Sequence, residues 1–197
     1  MDALKLVPQL FFDAIGRVVP GSVAIFLYFS LFDPKWTVWK TFIDGALAGR
    51  AGTEPPVGFV ILSLLVLAYV LGHLLSPLTK MIQRIGETVP TKLRSSSSEN
   101  YEWLRMHKPD AGAHCAKLRA EFTMYNSLAA VFACYVVALR AAQRPSPIPA
   151  LVLSVLALLM IYRGRETRDT FRKSIEHFYA ASKAPPPPPS KAEPLAP

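Results

Sequence analysis

The sequence predicts an all-α, polytopic membrane protein with four transmembrane helices and helical extensions on the cytoplasmic side. Three observations carry that expectation. Hydrophobic residues make up 51% of the 197-residue chain and charged residues 18%, below the roughly 25% of an ordinary soluble domain. Mean hydropathy is +0.27. The apolar residues also fall in four blocks, instead of being spread with amphipathic periodicity. This composition excludes a disordered chain, and two cysteines are too few for a disulfide scaffold.

The N-terminal segment and first span occupy residues 1–32. Residues 18–32 carry no charge, and Leu10 to Ile15 lengthen the run if Asp13 and Arg17 sit at the interface. A cleaved signal peptide is the competing account, with Ala46-Leu47-Ala48 as the small-residue site. It is rejected because that site lies well beyond the apolar core and the start of the chain is weakly basic. Residues 33–56 form the outer loop. Asp33-Pro34 has the form of an N-cap followed by proline at the first helical position. Trp36, Trp39, Phe42 and Ile43 follow at helical spacing, predicting a short interfacial helix. A cap over a pore mouth is the alternative for that loop.

Residues 57–78 give the clearest span, 22 residues without Asp, Glu, Lys or Arg. At about 1.5 Å per residue this run reaches about 33 Å, enough for a hydrocarbon core of about 30 Å. Residues 79–121 are the main cytoplasmic segment. The second span is expected to continue as a helix through Ile82 and Ile85, Ser95 to Ser98 to form a flexible break, and Asp110 to cap the helix that rises into the third span. That third span covers 122–139 and the fourth 148–162. In 163–183, Phe171, Ile175, Phe178 and Ser182 share one face of an amphipathic helix, which either joins a juxtamembrane bundle or lies on the leaflet. Residues 184–197, rich in proline, predict a disordered tail.

The basic residues choose the orientation. With both termini inside, 17 of the 22 Lys and Arg fall on the cytoplasmic side, as the positive-inside rule requires. Topology and attraction to anionic headgroups therefore account for the net charge of +8, and no direct nucleic-acid binding is expected. The predicted location is a bacterial inner membrane, crossed several times.

The chain carries no phosphate-binding glycine loop, no Gly-x-Ser-x-Gly and no His-Glu-x-x-His. His107, His114 and Cys115 lack a ligand spacing, and Pro109 interrupts any shared face. The expectation is no catalytic residue, no cofactor and no metal. Helix packing is more legible. Ala68, Gly72 and Ser76 repeat every four residues in the second span, and Asn126, Ala130, Cys134 and Ala138 do so in the third. Small residues at that spacing let helices approach closely in lipid, within one chain or in a homo-oligomer. Tyr69 and His73 lie one turn apart, with His73 expected to bond Tyr69 or Asn126. A gating or proton-relay role is the alternative for the pair. Asp13 and Arg17 can form an interfacial ion pair.

The run Phe11-Phe12-Asp13-Ala14-Ile15-Gly16-Arg17-Val18-Val19-Pro20-Gly21 resembles the start of a group of small bacterial four-helix inner-membrane proteins. Tyr69-Val70-Leu71-Gly72-His73-Leu74-Leu75-Ser76 is similar to their second recurrent feature, and the basic helix around Arg165 to Tyr179 extends the likeness. Some members of the group accompany anti-phage defence genes. The resemblance implies no catalytic residues, and makes Pro20-Gly21 and Gly72-His73 shared structural features. The resulting expectation is a non-enzymatic membrane component of a defence or stress-response system, anchoring or sensing for a cytoplasmic protein partner and able to perturb the bilayer. A homo-oligomeric channel and an enzyme acting on a lipid-linked substrate are the alternatives.

Overall fold

Every regular element among the described residues is a helix. The computed structural model describes residues 3–33, 35, 37, 40–41, 57–85, 91–143 and 147–183. The helices are α1 (Ala3–Leu31), α2 (Val57–Leu74), α3 (Ser76–Ile85), α4 (Thr91–His107), α5 (Pro109–Ala141) and α6 (Ile148–Lys183). Three of them, α1, α5 and α6, are long and apolar enough to cross a membrane, and α2 with α3 makes a fourth if the bent pair counts as one span.

The bend between α2 and α3 is 40° and has a local cause. Pro77 has no N–H to give the His73 carbonyl, and its ring crowds that carbonyl. Backbone bonds on either side persist, with Leu75 N–H donating to Leu71 O (3.0 Å) and Thr79 N–H to Leu75 O (2.9 Å). The helix thus continues through Ile82 as the sequence suggests, in a new direction.

The molecule has an apolar layer and a basic layer, and α5 and α6 run through both. In the apolar layer, Val131, Phe132 and Leu139 of α5 pack on Ala150, Leu153 and Ala157 of α6, with Val23, Ala24 and Leu27 of α1 against them. Large apolar side chains on the outer faces, such as Leu62, Val137, Leu151 and Leu158, are more than half exposed. A hydrocarbon surrounding satisfies such a surface, whereas water does not.

In the basic layer, α4 and the first turns of α5 form an antiparallel hairpin. Lys108 N–H donates to Leu104 O and Gly112 N–H to Lys108 O, both at 2.8 Å. The lower half of α6 completes a second core, in which Tyr101, Leu104, Cys115 and Ile175 are buried and Trp103, Phe171, Phe178 and Tyr179 pack around them. The 163–183 helix therefore joins a bundle, with its apolar face turned onto α4 and α5.

Two sequence expectations need correction. Ser95 to Ser98 are helical, not a break, because they lie within α4, whose C-terminal half is anchored by Tyr101 and Leu104. Asp110 sits inside the first turn of α5 and does not cap it. Pro109 takes the first helical position and Lys108 the cap position, with no side-chain cap bond. Of the outer loop 33–56, Asp33, Lys35, Thr37, Lys40 and Thr41 are described. Asp33 Oδ1 accepts from the Thr37 N–H (2.9 Å) and hydroxyl (2.6 Å). Trp36, Trp39, Phe42, Ile43 and the tail 184–197 lie outside the described residues.

Candidate functional site

The functional candidate is a polar cavity of about 370 Å³ at the level where the two layers meet. Its position follows from how α1 seats on α2. A Cβ on Gly21 would overlap the Ala68 carbonyl, and one on Gly72 would overlap the Arg17 carbonyl. Only glycine permits these two backbones to approach so closely. The approach carries Arg17 to the bend, where its Nη1 donates to Ser76 Oγ at 2.9 Å. Ala68, Gly72 and Ser76, one ridge in the sequence, all face α1.

Helix α5 forms the opposite wall. Gly16 of α1 lies against the Ala120 backbone, and higher up the Tyr135 hydroxyl donates to Ala24 O (2.6 Å). Below the bend, the buried Thr79 hydroxyl donates to Leu75 O and stands 3.0 Å from Ser127 Oγ. Arg168 of α6 is buried, donating Nη1 to Gln83 O at 3.3 Å with its guanidinium 5.7 Å from the Phe122 ring centroid. The cavity between these walls is lined by Arg17, His73, Lys80 and Arg119, with Ser76 and Thr123 between them.

The residues singled out in the sequence separate into two groups. His73 reaches the cavity, and its ring lies 6.0 Å from that of Tyr69. Asn126 is committed elsewhere. It donates Nδ2 to Phe122 O (2.7 Å) and packs on Gly164 of α6, so its partner is not His73. Ala130 is buried beside it, whereas Cys134, further along that ridge, is exposed. The α5 ridge therefore packs at its lower end and emerges onto the outer surface above. The Asp13 side chain lies outside the described residues, so the ion pair with Arg17 does too.

The remaining candidates, His107, His114 and Cys115, lie in or around the second core. His107 Nδ1 is 3.0 Å from Trp103 O and its ring stacks on Trp103 at 4.6 Å. His114 meets the Phe178 ring edge-on. Burial pushes the Cys115 thiol up to about 11. Burial likewise raises the Tyr101 phenol, opposed by the Arg119 guanidinium, which lies 5.4 Å over its ring. Among the described residues no His, Cys, Asp and Glu cluster has the form of a metal site.

Arg119, Lys80 and Gln83 escaped the sequence reading, because each is an ordinary residue of a polar segment. Only the fold brings them to one wall. No protein-family model, no curated protein and no solved structure matches the chain.

Proposed function

We propose that the chain is a four-span inner-membrane protein, with both termini cytoplasmic, that serves as a non-enzymatic anchor or sensor for a cytoplasmic protein partner. The observation that supports this reading most is the continuity of α5 and α6. Each runs unbroken from the apolar layer into the second core, over 33 and 36 residues respectively. A partner bound to the basic layer thereby acts on two spans through rigid helix, with no loop to absorb the movement. The resemblance of the Phe11–Gly21 and Tyr69–Ser76 runs supplies the setting, a bacterial defence or stress-response system.

The surface that receives the partner includes the outer face of α4. Met106 is 62% exposed there, outside the apolar layer, where lipid does not explain an uncovered methionine. The test is expression with the neighbouring genes, followed by phage challenge and purification from membranes. A soluble neighbour should co-purify, and Met106→Glu should release it while the protein still inserts. Reporter fusions at both ends should report the cytoplasm. Absence of both protection and a specific partner would count decisively against the reading.

A further inference from the structure

The end of the basic layer farthest from the apolar layer carries aromatic rings that the second core covers only in part. Trp103 of α4 and Tyr179 of α6 are half-buried and meet edge to face at 5.4 Å, and the exposed His107 ring lies flat on Trp103 at 4.6 Å. His107 is held in that place by its Nδ1, 3.0 Å from Trp103 O. The Trp103 indole N–H and the Tyr179 hydroxyl hold no hydrogen bond among the described residues. The surface thus offers flat rings and two donors to whatever lies against it.

The chain itself supplies a segment of matching chemistry. Helix α6 ends at Lys183, whose Nζ lies 4.5 Å from the Tyr179 ring centroid, so the residues that follow leave the helix beside these rings. That continuation opens with Ala184-Pro185-Pro186-Pro187-Pro188-Pro189-Ser190. Proline has a carbonyl to accept and no N–H to donate, and its ring packs on aromatic faces. A proline run favours polyproline II before it binds, so ordering it costs little. Five prolines at about 3.1 Å each reach about 15 Å, enough to pass from Tyr179 across Trp103 to His107. The short tether also holds the segment near the rings at an effective concentration on the order of millimolar, so that weak contacts suffice.

We propose that Trp103, His107 and Tyr179 form a docking surface for this chain's own proline segment, residues 184–190, with proline rings on the aromatic faces and the Trp103 N–H donating to a proline carbonyl. Docked there, the segment adjoins Met106, three residues after Trp103 on the same helix. The docking does not depend on whether a cytoplasmic partner uses that face.

The test uses the full chain in detergent with Trp36→Phe/Trp39→Phe, which leaves Trp103 as the only tryptophan. Acrylamide quenching then reads the exposure of that one ring. Replacing Pro185 to Pro189 with serine should raise the quenching constant about twofold, as the covered face of a half-buried ring opens to water. These positions lie beyond α6, so the second core stays intact. Replacing residues 191–197 with glycine and serine should leave the constant at the parent value. A peptide of residues 184–190, added at millimolar concentration to the serine variant, should restore protection, and the same peptide with serine for proline should not. His107→Ala, at an exposed ring, should weaken that peptide about fivefold, the usual worth of one ring contact. Equal quenching in the parent and the proline-to-serine variant would overturn the proposal, as would equal loss on changing 191–197, since bulk and not proline would then be the cause. Protection that disappears on dilution, as light scattering shows a dimer falling to a monomer, would assign the segment to a second copy and overturn docking within one chain.

Discussion

The α1–α2 seam and the α4–α5–α6 cluster hold helices together by opposite means. At the seam, glycine removes side chains so that backbones touch, Gly21 against Ala68 and Gly72 against Arg17. In the cluster, large side chains fill the space, with Leu104 and Ile175 fully buried and Tyr101, Phe171, Trp103 and Tyr179 in edge-to-face pairs. The proposed membrane setting accounts for the difference between the seam and the cluster. Lipid tails are as apolar as leucine, so burying leucine there gains little, and close van der Waals contact must drive association. In water, burying apolar area is itself the driving force, at roughly 25 cal/mol per Å². On that reading one chain uses both rules, and α5 and α6 pass from one to the other.

The largest effect should come from filling the seam. Gly21→Leu places a side chain where the Ala68 backbone already lies, and backbone cannot rotate aside. The cost should exceed the ~1–3 kcal/mol of ordinary overpacking, enough to separate α1 from α2. Size-exclusion profiles in detergent should show aggregation or loss of the monodisperse peak. Ala68→Gly, which only removes a methyl group, should retain it. If Gly21→Leu behaves like the parent protein, the close approach is not what holds α1.

A smaller but still large effect belongs to the cluster. Ile175→Ala should cost about 2–5 kcal/mol, the usual range for a buried aliphatic truncation. The damage should stay in the basic layer. Limited proteolysis should begin to cut α4 while the apolar layer remains protected, which distinguishes this variant from the seam variant. Simultaneous exposure of both layers would mean that they fold as one unit.

Much of this contrast was legible before the structure, and the reasons are physical. The 57–78 run has no charge, and the Ala68-Gly72-Ser76 spacing puts three small residues on one helix face, so both local signals survive folding unchanged. Phe171, Ile175 and Phe178 were legible for the same reason, although their spacing left open whether they meet leaflet or helix. Composition misled at Ser95 to Ser98, because serine favours breaks locally while Tyr101 and Leu104 hold α4 by tertiary contact. The bend at Leu75 had a visible signal in Pro77 that an uncharged run concealed. The cavity had none. Arg17, Lys80 and Arg119 are far apart in sequence, and nothing in their neighbours marks them as sharing a wall.

Alkaline pH should affect the cluster by a comparable or smaller amount. The Cys115 thiol ionises near 9 in an open chain and at about 11 when folded. A raised acid pKa contributes stability that is whole below about 9 and is lost as pH climbs from there to about 11. Two pH units correspond to at most about 2.7 kcal/mol. Buried Tyr101 is raised by the same cause and adds to the loss. Thermal scans from pH 8 to 11 should therefore show parent protein weakening faster than Cys115→Ala. Parallel curves would mean that the thiol reaches water in the folded state.

The mildest test falls between the two regions, at the Thr79–Ser127 hydroxyl pair linking α3 to α5. Thr79→Val keeps the shape of the side chain and removes its hydroxyl from Leu75 O and Ser127 Oγ. Ser127 is buried, so its hydroxyl is left to find another acceptor. The expected loss is about 1 kcal/mol, the net value of a typical buried hydrogen bond with one partner removed. Thr79→Val/Ser127→Ala should recover part of it, because no stranded hydroxyl remains. If the double variant is instead less stable by the sum of both single changes, the pair is not coupled, and other contacts hold α3 to α5.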